Sequence, residues 1–149
     1  MRLVEYACSR VMSVFPSLAV DPTPALPSVL VVEEHDEMRS ALRDWLLTSF
    51  PPLRLREARG MDEALTLAEQ APLDFILVNL ELPGANGIEV TRRLHGRYPG
   101  CRIVVMSVND SVALRVAALE AGAEAFVPKR DLRAALHPIL AKALKRQAD

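Results

Sequence analysis

Asp74-Phe-Ile-Leu-Val-Asn79-Leu-Glu81-Leu-Pro83-Gly84-Ala-Asn86-Gly87 is the stretch from which the rest of the chain can be placed. Phe75 to Val78 is a short apolar run of the kind that fills a buried strand. It ends on a polar residue, Asn79. Pro83-Gly84 and Asn86-Gly87 then mark a turn, and a helical pattern begins at Ile88. Asn79 is therefore expected at the C-terminal end of a central strand, where open α/β sheets place their ligands.

Outward from this stretch, strands and helices alternate. Val29 to Glu33 reads as a continuous apolar strand ending in two acids, Glu33 and Glu34. A first helix follows from Asp36, its expected N-cap, with Met38, Ala41, Leu42 and Trp45 on one face. Pro51-Pro52 stops it. Leu53 to Ala58 alternates as a half-buried edge strand. Met61 to Gln70 is a second helix, with Ala64, Leu65 and Ala68 on its apolar side. Ile88, Val90, Thr91 and Leu94 carry the third helix, which ends near Tyr98-Pro99-Gly100. Arg102 to Met106 is a fourth strand running into Ser107. Asp110 to Ala121 is a fourth helix, closed by Gly122. Ala125 to Pro128 is a fifth strand, followed by Lys129. Leu132, Leu136, Ile139, Leu140 and Leu144 mark the last helix. Five strands alternating with five helices imply an α/β fold, a doubly wound parallel sheet with helices on both faces. Glu33, Glu34, Asn79, Ser107 and Lys129 would then meet on one rim.

The 149 residues suit one domain, and half of them are hydrophobic, enough for a sizeable core. A net charge of −1 gives no footing for non-specific nucleic-acid binding. No apolar run reaches membrane-spanning length. Cys8 and Cys101 lack metal-like spacing and read as free thiols in a reducing compartment. Residues 1–28 form an N-terminal extension, with a short helix over Val4 to Phe15 and a stiff Pro-rich linker over Asp21 to Pro27. Glu5, Pro16 and the lack of a small-residue cleavage site argue against a signal peptide. The domain proper spans 29–146, and 147–149 is a tail.

The ordered set Glu33, Glu34, Asn79, Ser107 and Lys129 resembles the active-site set of response-regulator receiver domains in two-component signalling. Leu82-Pro-Gly-Ala-Asn-Gly-Ile-Glu89, Ala118-Leu-Glu-Ala-Gly-Ala123 and Phe126-Val-Pro-Lys129 resemble further signatures of that family. The resemblance covers Val29 to about Arg146. It implies the flavodoxin-like receiver fold with strand order 2-1-3-4-5 and a cytoplasmic signalling module. It also implies phosphoryl transfer from a kinase histidine to an aspartate, beside Mg²⁺ held by acids. By position Glu33 and Glu34 match the acidic pair, Ser107 and Phe126 the switch residues, and Lys129 the lysine. Asn79 stands where the phosphoacceptor aspartate is expected.

That departure sets the functional expectation. An acyl phosphate needs a carboxylate nucleophile, and a carboxamide is neutral. The expectation is an atypical receiver that is not an enzyme, needs no cofactor and acts by phosphorylation-independent protein–protein contact. The partner would be a histidine kinase or a downstream regulator, with no nucleic acid bound by this chain and no membrane. Weak Mg²⁺ binding at Glu33 and Glu34 stays open. So do a phosphorylatable receiver in a phosphorelay and the dimerisation domain of a truncated DNA-binding response regulator. Glu81, the other nearby acid, is expected to direct its side chain away from the site. Branched Val108 would crowd the entrance. Lys129 is expected to pair with Glu33 or Glu34 and to hydrogen-bond the Asn79 side-chain oxygen. The solitary residues His35, His95 and His137 read as surface or helix-end residues.

The fourth helix has two apolar stripes, Val112-Val116-Leu119 and Leu114-Ala118-Ala121, and only one can face the sheet. Receivers commonly associate through helix 4, strand 5 and helix 5, so the resemblance makes Val112, Val116 and Leu119 candidates for a homodimer or partner interface.

Overall fold

The computed structural model describes residues 26–148. The expectations for Cys8, for a helix over Val4 to Phe15 and for most of the Pro-rich linker lie outside them. The elements are β1 (Ser28–Val32), α1 (Asp36–Ser49), β2 (Arg54–Ala58), α2 (Met61–Gln70) and β3 (Phe75–Asn79). A two-residue ladder of β4 (Glu81–Leu82) and β5 (Ala85–Asn86) comes next. Then follow α3 (Gly87–Arg97), β6 (Arg102–Ser107), α4 (Val112–Ala121), β7 (Ala125–Pro128), a short 3-10 turn (Lys129–Asp131) and α5 (Leu132–Ala148). The five long strands form one parallel sheet in the order β2-β1-β3-β6-β7.

Strand alternation divides the core. Val29, Val31, Phe75, Leu77, Val104 and Met106 point to one face, where Leu42 and Leu46 of α1 and Leu136 and Leu140 of α5 cover them. Leu30, Val32, Ile76, Val78 and Ile103 point to the other, against Ala64 and Ala68 of α2 and Val90 and Leu94 of α3. Leu80, Ile88, Val105 and Phe126 pack with Ala118 and Ala121 of α4. Both faces of β3 are thus buried, which is why it reads as an unbroken apolar run. Each fully buried Leu or Phe contributes about 1.5–3 kcal/mol, so the apolar strands anchor the polar residues at their ends.

Local details depart from the expectation at helix starts. His35, not Asp36, is the N-cap of α1, and it makes no side-chain cap bond. Asp36 is the first helical residue, and its Oδ1 accepts from Arg39 Nη2 at 2.6 Å. An acid there still complements the helix dipole. Ala41 is exposed, and Leu46 takes the buried place on that face. The fourth helix begins later than Asp110, because Ser111 caps it by accepting from Leu114 N.

The β4–β5 ladder arises from the turn chemistry of Leu82-Pro83-Gly84-Ala85. Pro83 precedes Gly84 at φ 66°, the combination that a type II turn needs. Leu82 pairs with Ala85 and Glu81 with Asn86. Asn86 then caps α3, its Oδ1 accepting from Ile88 N at 2.7 Å and Glu89 N at 3.2 Å. A Cβ on Gly87 would lie 2.4 Å from the backbone oxygen of Asn79. Only glycine lets α3 start against the end of β3.

Candidate functional site

The C-terminal ends of β1, β3, β6 and β7 meet at one rim. Glu33 follows β1 directly, and its N–H donates to Ala58 O at 2.9 Å. Asn79 ends β3 and Ser107 ends β6, while Lys129 follows β7. Glu33, Asn79 and Ser107 are fully buried. Burying an isolated carboxylate costs several kcal/mol unless donors satisfy it. Both Glu33 oxygens are satisfied: Lys129 Nζ donates to Oε1 at 2.7 Å and Asn79 Nδ2 donates to Oε2 at 2.8 Å. His35 Nδ1 stands 3.7 Å from Oε2 on the solvent side, and His35 keeps the surface, helix-end place expected of it.

The second acid is not there. Glu34 is exposed. Arg39 Nη1 fixes this arrangement through the carbonyl oxygens of Glu33 at 2.9 Å and Glu34 at 3.4 Å. Lys129 pairs with Glu33 alone. It does not bond the Asn79 side-chain oxygen, and Asn79 Oδ1 is buried with no hydrogen-bond partner.

Asn79 Nδ2 also donates to the backbone oxygen of Glu81 at 2.7 Å. The carboxamide N–H2 therefore bridges Glu33 Oε2 and Glu81 O, two oxygens that would otherwise face one another across the site. A Mg²⁺ ion at this rim would draw on those oxygens and a further carboxylate in near-octahedral array. The residues do not fit it. Both oxygens are taken by amide protons, the other Glu33 oxygen is held by Lys129, and Glu34 faces outward. Among the described residues, no group of three or more His, Cys, Asp or Glu is placed to hold a metal.

Glu81, like Glu34, lies where sequence reasoning did not place it. Its side chain does not turn away. Oε2 accepts from Ser107 Oγ at 2.8 Å and Oε1 accepts from the N–H of Val108 at 2.9 Å. Ser107 Oγ accepts in turn from Asn109 N at 3.0 Å. The β4–β5 ladder was the missing signal: it sets the direction of Glu81, and only the Pro83-Gly84 turn hinted at it. Val108 joins this network through its backbone, and its side chain is mostly in solvent.

On the far side of the rim, Phe126 is packed inward. The Arg115 guanidinium lies over its ring, 5.2 Å from the centroid, and Arg115 Nη1 donates to Phe126 O at 3.2 Å. Arg115 also pairs with Asp110 at 3.0 Å, and Arg130 pairs with the other Asp110 oxygen at 2.6 Å. Hydrogen bonds from Arg130 and then Arg115 lower the Asp110 pKa below its ordinary value.

The two stripes of α4 separate as their spacing requires. Ala118 and Ala121 are buried with Leu114 packed behind them. Val112, Val116 and Leu119 are 78%, 46% and 45% exposed. The remaining histidines do not converge: His137 stacks on Phe50 with centroids 5.0 Å apart, and His95 packs where a Cβ on Gly122 would strike it. Cys101 is a buried free thiol, its pKa pushed up to about 12 by burial and then by the Asp74 charge.

Comparison with known proteins agrees with this architecture. Residues 29–141 match the family described as the response regulator receiver domain. Transcriptional activator protein ExaE of Pseudomonas putida is 34% identical over 101 residues, which cover 68% of this chain and 47% of ExaE. Nitrate/nitrite response regulator protein NarL of Escherichia coli K12 is 32% identical over 115 residues, 74% of this chain and 53% of NarL. The chain thus spans about half the length of these relatives. A response regulator receiver domain protein (CheY-like) from Methanospirillum hungatei JF-1 superposes with a TM-score of 0.71, covering 82% of this chain and 99% of that one at 23% identity. The chain belongs to the response regulator receiver domain family, whose members are signalling domains that engage histidine kinases or downstream regulators. Among the described residues no helix is long and apolar enough to cross a membrane.

Proposed function

We propose that this chain is an atypical, cytoplasmic receiver that transmits a signal through protein–protein contact without being phosphorylated. Asn79 occupies the phosphoacceptor position, with Glu33 as the surviving acid, Ser107 and Phe126 as switch residues and Lys129 as the conserved-type lysine. The observation that carries this reading is the pair of hydrogen bonds that Asn79 Nδ2 donates to Glu33 Oε2 and Glu81 O. A carboxamide nitrogen held between those oxygens is neither a nucleophile nor a metal ligand. Lys129 acts structurally, as the counter-ion that lets Glu33 stay buried. The output surface is the exposed face of α4, Val112, Val116 and Leu119.

The test is intact mass after incubation with Mg²⁺ and a small acyl-phosphate donor, for wild type and Asn79→Asp. Wild type should gain no mass; a gain of about 80 Da, one phosphoryl group, would overturn the proposal. Modification of Asn79→Asp alone would trace the inertness to one side chain. Its absence from both would assign it also to the Glu34 and Glu81 arrangements.

A second reading draws on ExaE, which is described as a transcriptional activator and is matched over 47% of its length. In that reading the α4 face pairs two copies of a DNA-binding regulator, and this chain is its dimerisation module.

A further inference from the structure

Ser107 Oγ and the N–H of Val108 converge on one anion. Two donors from consecutive residues, both aimed at the same small oxyanion, form a receptor of the kind that backbone turns make for phosphate and sulfate. Here the anion is part of the chain. Glu81 Oε2 takes the hydroxyl at 2.8 Å and Oε1 takes the N–H at 2.9 Å.

Three features show that the arrangement is built, not a passing surface contact. Ser107 is fully buried. Its Oγ is pinned a second time by Asn109 N at 3.0 Å. Glu81 itself sits in the β4–β5 ladder, paired to Asn86, and its backbone oxygen is held by Asn79 Nδ2. The carboxylate is therefore presented from a fixed base to the segment leading into α4.

We propose that the Glu81 carboxylate is a built-in oxyanion ligand. It fills the two-donor site of Ser107 Oγ and Val108 N–H, and so holds the β6–α4 connection and the α4 face beyond it in a single arrangement. Glu81 is a positioning residue. Without its carboxylate the two donors lose their partner, the connection loosens, and the site accepts a free inorganic oxyanion. This deepens the function proposed above and rests on it only in treating α4 as the output surface.

The experiment follows backbone amides of the isotope-labelled full chain, with no phosphodonor present. In Glu81→Ala the Val108 amide should exchange with solvent about tenfold to a hundredfold faster than in wild type, as expected for losing a bond to a charged acceptor. Inorganic phosphate should then move the Val108 and Asn109 signals saturably in Glu81→Ala and leave them unmoved in wild type. Glu81→Gln keeps the length but not the charge, and should show faster exchange confined to the same two amides. Unchanged Val108 exchange in both variants would overturn the proposal, as would an equal response of wild type to phosphate. Loss of protection throughout β3 and β6 in both variants would overturn it too, since Glu81 would then be a general stabiliser. The function proposed above fails by a different readout, a mass gain in wild type.

Discussion

The rim of strand ends and the outer face of α4 have opposite balances of supply and demand. At the rim, a buried carboxylate, a carboxamide nitrogen, an ammonium and a hydroxyl all find partners within the chain. On α4, Val112, Val116 and Leu119 stand in solvent although the opposite stripe of the same helix is buried. The difference shows where outside molecules have something to offer. A ligand entering the rim meets donors already engaged, with Asn79 Oδ1 the rim acceptor that has no partner among the described residues. A partner on α4 displaces only water, and gains about 25 cal/mol for each Å² of apolar surface covered. The polar groups of the rim face inward, and the apolar stripe of α4 faces outward.

The closed half of this contrast breaks most sharply at Lys129. In Lys129→Met the fully buried Glu33 loses the ammonium at 2.7 Å. Removing one partner of a buried pair costs about 3–5 kcal/mol, and denaturant unfolding should register that loss. Adding Glu33→Gln should recover most of it, because no buried charge is left unpaired. A loss under about 1 kcal/mol in the single variant would mean that Glu33 is neutral or finds water, far below the buried-pair range.

A smaller effect tests how tightly the rim is built. In Gly87→Ala the new Cβ would approach Asn79 O at 2.4 Å and Leu80 Cα at 2.8 Å. Both are backbone atoms and cannot rotate aside. Overpacking of this kind costs about 1–3 kcal/mol, and the shift would be felt at Asn79. Gly96, on the same helix, has nothing within 4 Å of its would-be Cβ. Gly96→Ala should stabilise by up to about 1 kcal/mol through helix propensity alone. Equal and small effects at the two glycines would remove the argument that close approach fixes the α3 start.

How far these regions could be read from sequence follows from what sets each one. Strand ends are defined by where apolar runs stop, so Glu33, Asn79, Ser107 and Lys129 were placed on one rim; the sheet order came from the family resemblance. Side-chain directions in the connections depend on backbone geometry that periodicity does not encode. Glu34 turned outward because Arg39 holds the two carbonyls before the helix. Glu81 turned inward because a two-residue ladder fixes it. The bond of Lys129 to Asn79 was expected from charge crowding, and the structure relieves that crowding with the carboxamide N–H2 instead. The stripes of α4 were legible because helical spacing alone separates them.

The open half of the contrast carries the smallest cost in stability and the clearest change in association. Val116 and Leu119 are about half exposed, so Val116→Asp and Leu119→Asp should change folding stability by no more than about 0.5 kcal/mol, the usual range for surface positions. If the α4 face joins two copies, wild type should show a concentration-dependent rise in solution mass toward a dimer, and each aspartate should abolish it. Two copies meeting across a two-fold axis would bury the same patch from both, so each aspartate would enter the interface twice. A monomer at all concentrations in wild type and both variants would sink self-association. The stripe would then remain an exposed apolar face among the described residues, with the core behind α4 filled by Leu114, Ala118 and Ala121.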